Sequence, residues 1–250
     1  DSLARALGRD PTEVRLVNLV TAADMPYQSI TGKQYDSGDY PAAARKALEA
    51  IDIDAIRARQ SSGESDGRRI GFGMSCYTEQ TAHGTAEWVS RGLPVVFGYE
   101  PALARLTPDA KLILHVGIQN HGQGLETTLA QVACEELGLT VADVVVRHGD
   151  SSMSPYGMGT FGSRSMTMAG GAVSVACREL AEKVKRIGAH LLQSTAEAVT
   201  LAGGRVHGPA GSVPLAEVAE SATLHPERLP EGEEPGLDVA AVYEPARSTG

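Results

Sequence analysis

The residues best placed to do chemistry in this 250-residue chain lie in two glycine-rich turns. The first, Gly117 to Gly124, reads GIQNHGQG and sets Asn120, His121 and Gln123 among glycines that include Gly122 and Gly124. The second, Gly157 to Ser165, reads GMGTFGSRS and crowds Thr160, Phe161, Gly162, Ser163, Arg164 and Ser165 together. Glycine lets the backbone take positive φ and come close to a bound group. Side-chain amides and hydroxyls both donate and accept, and a guanidinium adds a fork of charged donors. Such a set suits an anion, phosphate above all, and His121 is placed to donate toward one. The plain alternative is that the glycines end strands and cap helices. A turn needing only flexibility would not need these donors.

Each turn must be carried by a strand before it and a helix after it. Leu112, Ile113, Leu114 and Val116 form an apolar run ahead of the first turn, and Leu125, Leu129, Val132, Ala133 and Leu137 repeat at helical spacing behind it. Before the second turn stands the β-branched run Val141 to Val146, followed by a polar loop. Behind it, a helical pattern runs from Thr167 to about Ala202, with Val173, Cys177, Leu180, Val184, Ile187 and Leu191 inward and Gly203-Gly204 as its end. Glu179 with Lys183 and Glu182 with Arg186 are spaced as i, i+4 pairs. The first amides of each helix have no intrahelical partner and favour an anion in front of them. The predicted fold class is α/β (α+β mixed): two strand–glycine loop–helix units packed on a mixed sheet, with an N-terminal helical arm.

Gly157-x-Gly159-x-x-Gly162 also matches the dinucleotide fingerprint. Nine residues, Gly149 to Gly157, separate its first glycine from the strand pattern, however, and Glu179 and Glu182 fall inside a helix where a strand-end acid is needed. A Rossmann site is not supported. No GxxxxGK[ST] occurs either.

In the arm, Ser2 to Leu7 reads as a helix already under way, and Asp10-Pro11 as the cap and first position of a second, with Val14, Val17 and Leu19 inward. Beginning at Asp1, the chain is expected to be cut from something longer. Met25 to Tyr40 reads as an extended connector. Ala42 to Arg59 reads as one helix with Ala44, Leu48, Ile51, Ala55 and Ile56 inward, and Ser61 to Gly67 as a linker. Arg69 to Thr81 is predicted as a strand, Gly84 to Gly98 and Ala102 to Leu106 as paired strands, and Thr107 to Ala110 as a turn. Val213 to Ala222 reads as a short helix, His225 to Gly236 as an exposed loop, and Asp238 to Tyr243 as a strand whose sheet lies beyond this sequence. The domains expected are a helical arm and connector at 1–60, an α/β module at 68–224, and a loop with a further strand at 225–250.

The formal charge of −9, with no basic stripe, argues against nucleic acid or an anionic membrane surface as partner. Cys76, Cys134 and Cys177 form no CxxC pair, so no zinc or iron–sulfur site is read within this chain. A reducing, cytoplasmic setting is expected. His83, His115, His121 and His148 lack ligand spacing, and no metal ligand or catalytic residue is assigned; Glu79 reads as a polar strand end.

HGQGLETTLAQ followed by GDSSMSPYGMGTFGSRS closely resembles the cofactor-binding segments of the molybdenum hydroxylases, the family of xanthine dehydrogenase, aldehyde oxidase and aerobic carbon monoxide dehydrogenase. LARALGRDPTEVRLVNLV and PYQSITGKQYDSGDY resemble an upstream segment of the same large subunit. The resemblance implies a molybdopterin cofactor, in its cytosine dinucleotide form, whose dithiolene rather than a side chain binds molybdenum. It implies that His121, Gly122, Gln123 and Gly124 belong to a first cofactor loop, and Thr160, Phe161, Gly162, Ser163, Arg164 and Ser165 to a second, with Arg164 and Ser165 toward pterin and phosphates. The implied reaction is hydroxylation of an aldehyde, an N-heterocycle or carbon monoxide, with water as oxygen source and copper taking part in the carbon monoxide enzymes. Implied partners are an FAD-binding medium subunit, a [2Fe-2S] small subunit, a small-molecule substrate and a second copy of the assembled complex. The family's C-terminal glutamate motif is absent, so this piece alone is expected to be inactive. A different class remains open, an accessory subunit that binds the cofactor or scaffolds a complex without catalysing.

Overall fold

The computed structural model describes residues 1–93 and 96–245, which divide into two compact units, Asp1–Glu79 and a second that begins at Gln80. The stretch Ser61 to Gly67, read as a linker, lies inside the first unit. No described helix is long and apolar enough to cross a membrane.

The first unit holds helices α1 (Ser2–Ala6) and α2 (Pro11–Asn18), a hairpin of β1 (Tyr27–Gln28) and β2 (Gln34–Tyr35), and helices α3 (Tyr40–Ala50) and α4 (Ile53–Ser62). Asp10 caps α2 as expected, its carboxylate accepting from Thr12 N at 2.7 Å and from Arg57 Nη2 at 2.6 Å. The single helix expected over Ala42 to Arg59 is two. Asp52 adopts a left-handed φ of 50° and its carboxylate accepts from Ala55 N at 3.1 Å, so a side chain competing for backbone donors restarts the helix. Ile51, expected inward, is exposed as a result; so is Val17 of α2. Met25 to Tyr40 contains the β1–β2 hairpin rather than a plain connector, and residues 69–80, expected as a strand, carry no strand pairing.

The second unit opens with α5 (Thr85–Ser90), where a strand was expected over Gly84 to Gly98. Trp88 decides this locally: its indole is buried, stacked on His83 with ring centroids 5.1 Å apart. Residues 94 and 95 of that expected strand lie outside the described residues. Next come β3 (Glu100–Leu106), β4 (Leu112–Val116), α6 (Leu125–Leu137), β5 (Val144–Arg147) and α7 (Ser165–Leu191). The unit closes with β6 (Thr200–Ala202), β7 (Arg205–Gly208), β8 (Gly211–Pro214), α8 (Leu215–Leu224) and β9 (Asp238–Tyr243).

Among the described residues the larger sheet runs β5-β4-β3-β9. β4 and β5 are parallel, with Leu112 opposite Val144 and His115 opposite Arg147, while β3 is antiparallel to both β4 and β9. Alternation puts Ala102, Ala104, Leu106, Leu112, Leu114 and Val116 on one face, where they join the apolar stripes of α6 and α7 in a single core. β9 finds its sheet within this chain, with Tyr243 opposite Glu100, which corrects the expectation of a partner elsewhere.

α7 stops at Leu191, short of the Ala202 expected. Gly203 and Gly204, both at positive φ, turn β6 into β7 instead of ending a helix, and β6, β7 and β8 make a small sheet that the helical pattern concealed. Lys183 and Arg186, expected to pair along α7, reach Glu233 at 3.8 and 2.7 Å and tie the 225–236 loop to the helix.

Candidate cofactor-binding site

β4, α6 and β5 form a parallel crossover, so the loop after β4 and the loop after β5 leave the sheet at the same edge. That edge is the carboxyl end of both parallel strands, where α/β sheets place their ligand crevices. The first loop enters α6 through Gly124, at φ 78°; the second enters α7 through Gly162 and Ser163, at φ 53° and 50°. Each loop therefore runs from the carboxyl end of a parallel strand into a helix N-terminus.

The loops are stapled to each other. Gln119 N donates to Thr160 Oγ1 at 2.7 Å, and Thr160 Oγ1 donates to Gln119 O, also at 2.7 Å. Beneath the staple the backbones touch at two glycines: a Cβ on Gly117 would stand 2.6 Å from Gly157 Cα. Between and above them lies an open cleft of about 570 Å³, lined by Gly117, Gln119, His121, Asp150, Gly159 and Thr160 among others. Thr160→Val should remove both bonds of the staple, a loss of about 1 kcal/mol. Faster amide exchange at residues 117–124 than in the parent would show it.

Within the first loop, Asn120 Oδ1 accepts from Gly122 N at 2.8 Å, and Gln123 Oε1 accepts from His121 N at 2.5 Å. Gln123 Nε2 reaches Gln119 O only at 3.4 Å, so that amide holds its own loop with one end and leaves the other loosely engaged. Asn120 Nδ2 also donates to Glu126, whose carboxylate is bonded to His148 Nε2 at 2.8 Å. These bonds, the His148 one first, hold the Glu126 carboxyl down to about 2. His121, Gly122 and Gly124 are exposed.

Phe161, Gly162 and Ser163 are exposed at the rim of the second loop, and Gly162 O lies 3.0 Å from His83 Nδ1. Ser165 Oγ approaches Thr160 Oγ1 at 3.4 Å. Arg164 is elsewhere than the sequence suggested. Its side chain is 0% exposed and points below the loop, where Nη1 donates to Glu100 Oε2 at 2.6 Å and to Gly159 O at 2.7 Å. Nη2 reaches Tyr99 O at 3.3 Å, and the guanidinium lies 5.4 Å from the Phe161 ring centre.

Sequence reasoning missed Glu100. The signal was there in the strand's phase: Glu100 shares a face with Ala102, Ala104 and Leu106, and a charge on the core side of a strand demands a partner. Glu100 Oε2 also accepts from Met158 N at 3.3 Å, so this one carboxylate touches the second loop twice. Burial, ahead of the Arg164 hydrogen bond and charge, pushes its carboxyl above the ordinary range.

Known proteins resemble this chain in sequence and in fold. The chain is 32% identical, over its whole length, to 31% of the carbon monoxide dehydrogenase large chain of Hydrogenophaga pseudoflava. It is 31% identical to the nicotine 6-hydroxylase large subunit of Paenarthrobacter nicotinovorans, covering 99% of this chain and 30% of that one. The crystal structure of quinoline 2-oxidoreductase from Pseudomonas putida 86 superposes with a TM-score of 0.77 at 31% identity, covering 99% of this chain and 32% of that chain. The chain thus spans about a third of the length of these relatives. The family model for the molybdopterin cofactor-binding domain matches residues 46–250, and this chain belongs to that family of molybdenum hydroxylase large subunits.

Proposed function

We propose that this chain is the cofactor-holding part of a molybdenum-dependent hydroxylase, acting on an aldehyde, an N-heterocycle or carbon monoxide. The observation that carries the reading is the pair of stapled glycine loops, each opening onto a helix N-terminus at one sheet edge. The group fits the residues present. A Cβ at Gly122, Gly124 or Gly159 would project into open space, so these backbones leave room for a large flat ligand to lie against them. The amides of the first turns of α6 and α7 suit its phosphates.

When bound, the molybdenum centre supplies two-electron oxidation with water as the oxygen source. This chain's residues hold and orient it. Gly122, Gln123 and Gly124 take the first contact, His121 donates beside them, and Thr160, Phe161, Gly162, Ser163 and Ser165 take the second. Arg164 serves the second loop from below, through its bonds to Gly159 O and Glu100. No side chain here is assigned as catalytic or as a metal ligand.

The cofactor is read as its cytosine dinucleotide form, with FAD and [2Fe-2S] on medium and small partner subunits in a cytoplasmic, dimeric assembly. Likeness to a carbon monoxide dehydrogenase large chain and to a nicotine 6-hydroxylase large subunit supports the multi-subunit reading. The test is molybdenum and released nucleotide on the native assembly purified through this chain. Molybdenum with CMP, alongside iron and flavin, is expected; an intact assembly with neither molybdenum nor nucleotide would overturn the proposal.

A further inference from the structure

We infer that Glu100 and Arg164 form a positioning pair that sets the spacing of the two glycine loops from beneath, and thereby how tightly the cleft keeps its cofactor. The inference rests on the reading of the cleft as the cofactor site. Glu100 stands at the start of β3, and Ala102, two residues on, lies opposite Val116, the last residue of β4. The register thus brings the carboxylate to the root of both loops. Its two oxygens divide the work. Oε2 accepts from Arg164 Nη1 and Met158 N, which belong to the second loop. Oε1 faces the seam between the loops: a Cβ on Gly117 would stand 2.7 Å from it, and on Gly157 the same oxygen would be the nearest atom met.

Filling the core does not explain the pair. Both side chains are 0% exposed, and buried ion pairs are commonly no more stabilising than apolar residues of the same volume. Glu100 Oε1 and Arg164 Nε have no hydrogen-bond partner among the described residues, an unmet demand that an apolar pair would not have. What an apolar pair lacks is the set of fixed bonds to Met158 N, Gly159 O and Tyr99 O. Those bonds fix the second loop's height above β3. The staple through Thr160 passes that height to the first loop.

The experiment compares the parent assembly with the double variant Glu100→Leu/Arg164→Met, purified through this chain. Melting temperature, molybdenum retained after dialysis, and amide exchange at residues 117–124 and 157–164 are read on both. The double variant should melt near the parent, since the volume is refilled without buried charge. Its molybdenum retention should fall roughly tenfold, as expected for one or two positioning bonds lost, and both loops should exchange faster. Parent-like retention and exchange at a parent-like melting temperature would overturn the pair's positioning role. Should the double variant not assemble, Arg164→Lys keeps the charge beside Glu100 but loses the fork that holds Gly159 O and Tyr99 O together, and full retention with parent-like loop exchange there would overturn it equally. A parent without molybdenum would sink the cofactor reading instead; loop exchange in the variant then still decides the role of the pair.

Discussion

Gly157→Ala should destabilise the second unit by about 3 kcal/mol and abolish cofactor retention, although it adds a single methyl group. Gly157 is not at positive φ, so backbone strain is not the cause. The added Cβ would run into Glu100, 2.9 Å from Cδ and nearer still to Oε1, and would stand 2.8 Å from Gly117 Cα. Neither neighbour can yield cheaply. The carboxylate is pinned by Arg164, and the glycine backbone opposite continues straight from β4. Either the loops part, losing the staple, or the ion pair opens with its charges still buried. Gly149→Ala is the matched control: φ is +75° and nothing lies within 4 Å of the new Cβ, so only the left-handed penalty of about 1–2 kcal/mol is expected. Urea unfolding of both variants separates the effects. Equal losses at the two positions would show that the seam between the loops gives way and that close approach is not what Gly157 provides.

How much of this could be read from the chain depends on how local each cause is. The two loops were legible because their signals are contiguous: an apolar run, glycines with donors, then a helical stripe. The Asp10 cap was legible for the same reason, its acceptor lying two residues from its donor. Asp238 to Tyr243 was recognised as a strand by composition, but its partner, Glu100 to Arg105, lies too far along the chain for any local pattern to name. The overrun of α7 has a different origin. Thr200 to Ala202 continues in helical phase with the apolar residues before it, and only pairing with Arg205 to His207 makes it a strand.

Arg164 shows most plainly what a sequence withholds. Among Thr160, Ser163 and Ser165 it reads as one more donor for an anion, and its type and spacing agree with that. Its carboxylate partner, however, is 64 residues away, and pairing turns the guanidinium under the loop rather than over it. The arginine then supports the second loop from beneath, through Gly159 O and Glu100. Gly117 and Gly157 matter here because a Cβ on either would meet the other loop and Glu100.

Arg164→Met should cost about 3–5 kcal/mol near pH 8, because it leaves the Glu100 carboxylate buried without its counter-charge. The loss should shrink as the pH is lowered toward about 5. The sign follows from proton binding. Burial already holds the Glu100 carboxyl above its ordinary 4.5, and Arg164 supplies the two largest opposing influences, a hydrogen bond and a charge. Without them the carboxyl rises further, and the folded variant binds a proton over a pH range where the unfolded chain has released it. Stability therefore falls as pH rises through that range and returns on acidification. Glu126 and Asp143, each held down to about 2, behave oppositely, but their contributions are lost only as the pH drops toward that value. The measurement is the difference in unfolding free energy between parent and variant at several pH values from 5 to 8, chosen to span this range. A difference independent of pH would mean that Glu100 stays ionised without Arg164, satisfied by Met158 N alone, and that the arginine is held by Gly159 O and Tyr99 O rather than by the acid.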